Sequence, residues 1–422
     1  MRCRKYRGIK LLCHSLKVLE RVVEARLQEL GFQKGKSTTE PMFCLRMLQE
    51  KYREFGKGLH MVFVDLEKAF DTIPRDMIWY SLRKRQVPEV YISIIRDMYQ
   101  QCTTRVTTTA GETEEIGIHA GLHQGTALSP LLFIIIMDVI GEDLDKKAPW
   151  TMSFADDLSL SGEKGEDLEG KLEEWRKRLE EAGVKVSRAK TEHLPLPGAQ
   201  GSIRMKQYGL EERTELPKCS SFKYLGTTLQ QEGGCSKEVE VRISKAWAKW
   251  RELMGVLCDK KISTKLKVLI YKTVIRPVLL YGCETWPVTE TLVKKISACE
   301  MRMLRYCLGV SWEEHRRNVD IRKEARVVGI ADMMRRKRLA WYGHVCRREE
   351  DSDVRRTSEM TIAARRKRGR PKHRWLDTIR KDMNFIKECG LCKEDALNRE
   401  KWRSVVTYWQ TLATREGQGG ER

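Results

Sequence analysis

Residues 150–162 have the sequence WTMSFADDLSLSG, in which two short apolar segments flank the adjacent acids Asp156 and Asp157. Two apolar segments on either side of a short polar turn predict a β-hairpin with both carboxylates at its tip. Residues 59–65, LHMVFVD, have the composition of a short buried strand and end in a further acid, Asp65. We therefore expect a sheet that holds these carboxylates at the ends of its strands.

The segments around these strands are a mixture of helices and hairpins. Apolar residues at three- and four-residue steps predict helices over residues 15–30 and about 166–182. Strand-like pieces follow at TEHLPL (191–196) and FKYLGTTL (222–229). Because this order lacks the regular βαβα alternation of a doubly wound sheet, we predict an α+β fold with an antiparallel sheet. After about residue 236 the chain becomes helical and basic.

The composition favours a polyanionic partner. The 422 residues include 80 Lys and Arg against 59 Asp and Glu, a formal net charge of +21, which favours nucleic acid before an anionic membrane. The longest apolar run, residues 131–137, is too short for a bilayer, which needs about 20 residues. Since the N-terminus also lacks a signal-peptide core, we expect a soluble intracellular protein, in the nucleus or cytoplasm and not secreted. Its 13 cysteines, an odd number without framework spacing, are expected to be reduced.

The carboxylates at the strand ends admit two interpretations. Carboxylate oxygens are hard ligands that suit Mg²⁺, and two such ions about 3.5–4 Å apart can activate a 3′-hydroxyl and stabilise a leaving pyrophosphate. Aspartate is also a favoured turn and N-cap residue, so each acid could be purely structural. The spacing permits phosphoryl transfer without requiring it.

A set of motifs in a fixed order carries a family resemblance. The chain resembles the reverse transcriptases of non-LTR, LINE-like retrotransposons. Segments similar to their palm motifs are VFVDLEKAFDTI (62–73), GLHQGTALSPLLF (121–133), FADD (154–157), GVKVSRAKTEHL (183–194) and FKYLGTTL (222–229). Segments similar to their fingers motifs are YRGIKLL (6–12) and GFQKGKSTTE (31–40). The tails of related endonuclease-reverse transcriptase polyproteins resemble CRRE (346–349) and GRPKHRWLDTIRKDM (369–383).

The resemblance implies a right-hand polymerase with fingers, a palm with an antiparallel sheet and a helical thumb, followed by a basic, mainly helical C-terminal region. It implies N-terminally truncated fingers over 1–60, a palm with inserted fingers elements over 61–230, a thumb over 231–315 and the basic region over 316–422. Family members commonly carry an upstream endonuclease. Because the sequence contains no nuclease motif, we expect that domain to be separate or upstream.

The resemblance also assigns the metal site and the steric gate. Asp65, Asp156 and Asp157 would be the catalytic acids that bind two Mg²⁺ ions, for which Mn²⁺ could substitute. The Leu66 carbonyl would be an extra ligand. Phe70 would exclude a ribose 2′-hydroxyl by steric repulsion, so that deoxynucleotides are selected.

Further residues take nucleotide-binding roles by the same resemblance. The backbone amides near Lys68 and Ala69 would face the triphosphate. Gln124 would approach the nucleotide, and Gly125 would let the template backbone come close. Lys190 would protonate the leaving pyrophosphate, with a solvated lysine as the alternative.

The fingers, the palm and the thumb each contribute further candidates. The triphosphate clamp would be formed in the fingers by Arg7, Lys34 and Lys36. Asp71 is interpreted as a helix-start residue outside the metal site. The primer grip, which would hold the primer 3′ end, would comprise Tyr224, Leu225 and Gly226. Candidate duplex contacts on the predicted thumb helix are Lys245, Trp247, Lys249, Trp250 and Arg251, although helical tryptophans are commonly core residues.

Basic runs mark the C-terminal region. They lie at residues 335–338 and 365–374. The second run contains the candidate nucleic-acid-binding residues Arg365, Arg366, Lys367, Arg368, Arg370 and Lys372. It resembles the core of an AT-hook, but a nuclear-import signal or a general phosphate-binding tract fits equally well. Cys389 and Cys392 form a C-x-x-C pair, for which we expect no structural zinc because the spacing of the known knuckle is not reproduced.

These features predict an RNA-directed DNA polymerase that transfers deoxynucleotides to a primer 3′-hydroxyl. The expected partners are an RNA template, a DNA primer or target DNA, and dNTPs, with no membrane. The alternatives are a catalytically weak retrotransposon relic that only binds nucleic acid, and a two-metal nuclease. A nuclease would leave the Gln-Gly loop and the steric gate unexplained.

Overall fold

The computed structural model describes residues 13–29, 37–100, 102–108, 111–144, 150–206, 212–364, 366, 369, 372–387 and 393–404. The chain divides into two compact units. The first unit comprises Met1–Thr38, Leu59–Pro195 and Ala199–Cys219. The second comprises Thr39–Gly58, Leu196–Gly198 and Ser220–Arg422.

The strands are short and antiparallel. They are β1 (His60–Val64), β2 (Thr103–Thr104), β3 (Thr107–Thr108), β4 (Gly111–Glu112), β5 (Ile116–Gly117), β6 (Thr151–Phe154), β7 (Asp157–Gly162), β8 (Glu192–Pro195), β9 (Arg204–Lys206), β10 (Arg213–Glu215), β11 (Ser221–Tyr224) and β12 (Thr227–Gln230).

The helices occupy most of the remaining chain. They are α1 (His14–Glu29), α2 (Thr39–Phe55), α3 (Ala69–Thr72), α4 (Arg75–Lys84), α5 (Glu89–Tyr99), α6 (Ser129–Ile140), α7 (Gly165–Glu181), α8 (Ser236–Glu252), α9 (Met254–Leu257), α10 (Thr264–Ile270), α11 (Arg276–Leu279), α12 (Glu290–Leu308), α13 (Asn318–Ala325), α14 (Ile330–Cys346), α15 (Asp353–Glu359) and α16 (Trp375–Lys387). Over the described residues, none of these helices has the length and apolar character to cross a bilayer.

The first unit is built on a four-stranded sheet with the order β6-β7-β1-β8. Strand β1 pairs antiparallel with β7 on one side and with β8 on the other, so all five of its residues are buried. This central position explains why its sequence is a continuous apolar run rather than an alternating one. The prediction of an α+β fold with an antiparallel sheet is confirmed.

Two helices show how apolar spacing builds the core of this unit. Helix α7 buries Leu168, Leu172, Trp175 and Leu179, which recur every three or four residues on one face. Helix α6 is apolar on nearly every side, and it is mostly buried. Both helices contribute to a single hydrophobic cluster with β1 and β7.

The second unit is mainly helical and contains the hairpin β11–β12. Helix α2 is buried along most of its length, including the polar residues Arg46, Gln49 and Glu50. Three tryptophans are among the largest side chains that are fully buried, namely Trp286, Trp375 and Trp402. A hydrophobic cluster runs from α8 through α12 to α14.

Candidate active site

The sheet register places the acids at one edge. Val64 of β1 pairs with Leu158 of β7, so Asp65 and Asp157 come next to each other just past the ladder. Phe154 pairs with Asp157 across a two-residue turn that contains Asp156. The predicted hairpin with acids at its tip is therefore present.

The local environments of the acids differ. Asp156 is exposed, whereas Asp65 and Asp157 are partly buried. Burial raises the pKa of Asp157 to about 6, and the nearby negative charges of Asp156 and Asp65 add to this effect. Asp65 Oδ2 is buried and forms no hydrogen bond among the described residues, and its charge is met by an ion pair with Lys190. Carboxylates that are gathered at one edge despite their mutual repulsion are typical of a cation-binding site.

The ligand atoms available at this edge suit hard divalent cations. It offers carboxylate oxygens from Asp65, Asp156 and Asp157, which are the ligands that Mg²⁺ prefers. The three side chains do not converge on a single metal position. Among the described residues, no group of three or more His, Cys, Asp or Glu is arranged to hold an ion.

Lys190, the predicted proton donor to pyrophosphate, lies beside the carboxylates. Its Nζ is 3.3 Å from Asp65 Oδ2, and its side chain is 70% exposed. An exposed pair of this kind contributes only about 0–1 kcal/mol to stability, so the contact leaves Lys190 free to exchange partners.

Hydrogen bonds fix the Lys190 loop to β1. Ser187 N donates to Asp65 O at 2.8 Å, and Asp65 N donates to Thr191 Oγ1 at 3.3 Å. The Thr191 hydroxyl is fully buried and donates in turn to Ser187 O. Thr191 carries no motif signal of this role, although a buried threonine directly after Lys190 is the residue that anchors the loop.

The steric-gate candidate Phe70 rests on the core. Its ring stacks on Phe133 with centroids 4.4 Å apart and an interplanar angle of 13°. The chain reaches it through Leu66, which forms a β-bridge with Val186, and through Lys68, whose φ of 47° is in the left-handed region. Lys68 is exposed and Ala69 is buried at the start of α3.

The loop that carries Gln124 and Gly125 is attached to the same segment. Leu122 N donates to Phe70 O at 2.6 Å, and Gln124 Nε2 donates to Asp71 Oδ1 at 2.6 Å. Gly125 has a φ of 95°, which a glycine adopts without strain. Asp71 lies in the first turn of α3, where its interpretation as a helix-start residue puts it, but its contact with Gln124 was not predicted.

The neighbouring residue His123 has a structural environment. It is buried, its ring stacks on Tyr99 with centroids 4.0 Å apart, and its Nε2 lies 3.4 Å from Cys102 Sγ. These contacts give His123 a structural role in packing the loop against α5.

The primer-grip candidates form the turn of β11–β12 in the second unit. Tyr224 pairs with Thr227, and both turn residues, Leu225 and Gly226, have positive φ values of 45° and 81°. Positive φ at both central positions is typical of a type I′ turn. Tyr281 Oη donates to Leu225 O at 2.9 Å. Arg242 donates to Gly226 O and also pairs with Glu238 Oε1 at 2.6 Å.

The basic tract is only partly described. Arg366 lies 3.8 Å from Glu54, and Lys372 is exposed. The other candidates of the tract and of the triphosphate clamp lie outside the described residues, namely Arg7, Lys34, Lys36, Arg365, Lys367, Arg368 and Arg370. The same holds for the C-x-x-C pair, Cys389 and Cys392.

Sequence comparison identifies the family to which the chain belongs. The model of the family described as reverse transcriptase (RNA-dependent DNA polymerase) matches residues 2–229. Because the match takes in more than half of the 422 residues, the chain belongs to the reverse transcriptase family.

Its relatives are polymerases of non-LTR retrotransposons, as the motifs predicted. The chain is 26% identical over 280 residues to the Pol polyprotein of the type-1 retrotransposable element R2 from Nasonia vitripennis, covering 60% of this chain and 27% of the relative. It is 24% identical over 367 residues to the RNA-directed DNA polymerase of the mobile element jockey from Drosophila melanogaster, covering 78% and 38%. The chain thus spans well under half of either protein.

A solved structure of telomerase from Candida tropicalis, in complex with a fragment of telomeric RNA, also matches. It covers 95% of this chain and 57% of the telomerase chain, at 9% identity and a TM-score of 0.41.

Proposed function

We propose that this chain catalyses RNA-directed DNA synthesis. In that reaction the primer 3′-oxygen attacks the α-phosphorus of a dNTP, and pyrophosphate leaves. The partners are an RNA template, a DNA primer or target DNA, and dNTPs. Membership of the reverse transcriptase family supports this reaction class.

The observation that carries the proposal is the meeting of Asp65 with the β6–β7 turn at one sheet edge. A structural turn aspartate needs no partner acid, whereas here Asp157 has its pKa raised to about 6 by burial and by two neighbouring acids. Holding such a cluster together costs free energy in the absence of a cation. A cation-binding function explains why the fold retains it.

Asp65, Asp156 and Asp157 would hold two divalent ions, Mg²⁺ or Mn²⁺, which when bound activate the 3′-hydroxyl and neutralise charge on the triphosphate. The Leu66 carbonyl is the proposed additional ligand. Lys190, with Nζ 3.3 Å from Asp65 Oδ2, holds the proton that the leaving pyrophosphate takes.

Nucleotide selection is assigned to the segment around Phe70. Its ring, supported from below by Phe133, would lie under the incoming sugar and reject a 2′-hydroxyl. The amides near Lys68 and Ala69 would face the triphosphate, and Gln124 and Gly125 would contact the nucleotide and the template.

The test is primer extension by the full chain on an RNA template annealed to a DNA primer, with Mg²⁺ and dNTPs. We expect the wild type to extend the primer and Asp156→Asn to lose roughly 100-fold or more of the rate, because a charged group of the reaction centre is removed. The matched control is Asp97→Asn, which removes the same charge from an exposed position on α5 and should leave the rate unchanged.

The alternatives give different results in the same assay. A folded wild type that binds RNA but never extends the primer would contradict the proposal and favour a protein that only binds nucleic acid. Shortening of the template or primer that depends on Asp156 would indicate a nuclease instead.

A further inference from the structure

Asp71 lies in the first turn of α3 and has no assigned part in the reaction. Its Oδ1 accepts a hydrogen bond from Gln124 Nε2 at 2.6 Å. A carboxylate has only acceptor oxygens, so the side of the amide that faces Asp71 is its NH₂ group. The orientation of this amide therefore follows from the chemistry of its partner.

The two side chains are carried by segments that are fixed to each other through their backbones. Gly121 N donates to Ile73 O at 2.8 Å, and Leu122 N donates to Phe70 O at 2.6 Å. Gly121 has a φ of +83°, and a Cβ atom there would lie 2.6 Å from Asp71 O. Only glycine permits this approach, so the position of the loop is set without the Asp71 side chain.

Because the backbone already positions the loop, the side-chain bond determines how the amide of Gln124 is turned. Its NH₂ group is directed to Asp71, which leaves the Oε1 atom for a ligand. Among the residues that the structure describes, Oε1 has no hydrogen-bond partner. An amide oxygen is an acceptor, so it selects a donor group.

We propose that Asp71 is a positioning residue that turns the Gln124 amide so that its oxygen accepts a hydrogen bond from the incoming nucleotide. This inference rests on the proposed function. A hydrogen bond to a charged group is stronger than one between neutral groups, and it holds one orientation of an amide against the other.

The experiment compares two single variants with a double variant in which the carboxylate and the amide exchange positions. Asp71→Asn is nearly isosteric but lets the amide of Gln124 turn either way, and Gln124→Glu places two carboxylates against each other. The double variant Asp71→Asn with Gln124→Glu again joins an NH₂ group to a carboxylate, with an acceptor oxygen facing outward. It also keeps the net charge of the pair.

We expect the KM for dNTP to rise about tenfold in each single variant, with a smaller change in kcat. In Asp71→Asn the Gln124 amide is no longer held with its oxygen outward, and in Gln124→Glu repulsion by Asp71 displaces the acceptor from its position. The double variant should recover most of that loss, because the two positions act as a pair. Asp97→Asn is the control for the loss of one carboxylate. Thermal unfolding of every variant separates a loss of folding from a loss of nucleotide binding.

The outcomes distinguish this inference from the proposed function. A wild type that does not extend primers contradicts the proposed function itself. An active wild type whose KM is unchanged in folded Asp71→Asn, or a double variant no better than Gln124→Glu, overturns the role of Asp71 alone.

Discussion

The stacked ring pair of Phe70 and Phe133 makes the strongest single-residue prediction about substrate choice. The stack on Phe133 restricts movement of the Phe70 ring, which would keep the ring against the sugar of a bound nucleotide if Phe70 is the gate. In Phe70→Ala we expect the ratio of kcat/KM for ribonucleotides to that for deoxynucleotides to rise about tenfold or more, because a repulsive contact is removed. Single-nucleotide incorporation measures this ratio. An unchanged ratio in an active, folded variant would show that Phe70 is not the gate.

A pair of buried histidines predicts a pH dependence of stability. His193 Nε2 lies 2.9 Å from His60 Nδ1, and burial lowers the pKa of His193 to about 4, with His60 and Lys218 adding to the shift. The unfolded histidine has a pKa of about 6.5, so the unfolded state takes up the proton first as the pH falls. The contribution of neutral His193 is complete above about pH 6.5 and is lost between pH 6.5 and 4.

Urea unfolding at a series of pH values checks this expectation against His193→Gln. The free energy of unfolding of the wild type should fall more steeply than that of the variant between pH 6.5 and 4. Parallel curves for the two proteins would refute the assignment to His193.

At the scale of elements, the turn of β11–β12 is held by groups remote from it in sequence. Tyr281 Oη donates to Leu225 O, Arg242 donates to Gly226 O, and Arg46 donates to Thr228 O at 3.1 Å. A non-glycine residue in the left-handed region costs about 1 kcal/mol, which these bonds offset at Leu225.

Tyr281→Phe removes one of these bonds and keeps the ring. We expect the protein to lose about 1 kcal/mol of stability and primer extension to become less processive, because the turn is the candidate primer grip. Tyr306→Phe, at an exposed tyrosine of α12, is the matched control. Unaltered product lengths together with lower stability would limit Tyr281 to a structural role.

Elements with a clear apolar period were predictable, and the partners of charged residues were not. The helix expected over 166–182 is α7, because its buried positions recur at helical spacing. The basic run 335–338 contains Arg338, which forms two hydrogen bonds to Asp382, a residue that is only 4% exposed. A charge pattern does not indicate which arginines pair with a distant buried acid. Helical spacing likewise does not indicate which tryptophans face solvent: Trp250, a candidate duplex contact, is buried in the core.

At the scale of the whole molecule, the C-terminal helix α16, which begins at Trp375, is part of the second unit. Trp375 is buried, stacks edge-on against Phe43 of α2 with centroids 4.8 Å apart and donates from Nε1 to Glu284 O at 2.8 Å. Its backbone N donates to Glu50 Oε2 at 2.7 Å. Helix α2 thus joins sequence from the N-terminal part of the chain to its tail.

Trp375→Ala should therefore destabilise the second unit by about 3–5 kcal/mol, the usual cost of removing a buried tryptophan. Trp375→Phe keeps a ring against Phe43 and should cost less. Chemical denaturation followed by circular dichroism gives both values. Equal and small losses would mean that the tail does not contribute to the core of this unit.

The parts of the candidate site that could be predicted are those that depend on local sequence. Asp65 and the Asp156–Asp157 turn follow strands with clear apolar character, so their meeting at one edge could be expected. The contact between Asp71 and Gln124 joins residues 53 positions apart through a tight backbone approach at Gly121, which no periodicity indicates.

RNA-templated DNA synthesis is tested most directly by giving the wild-type chain each of the four dNTPs separately. The RNA templates differ in the first unpaired base. A templated polymerase adds only the complementary deoxynucleotide, and it stops after one addition. We predict that pattern with Mg²⁺, and its absence in Asp156→Asn. Addition of any nucleotide regardless of template would contradict templated DNA synthesis by this chain. So would the absence of addition by a folded chain that binds the RNA–DNA primer–template.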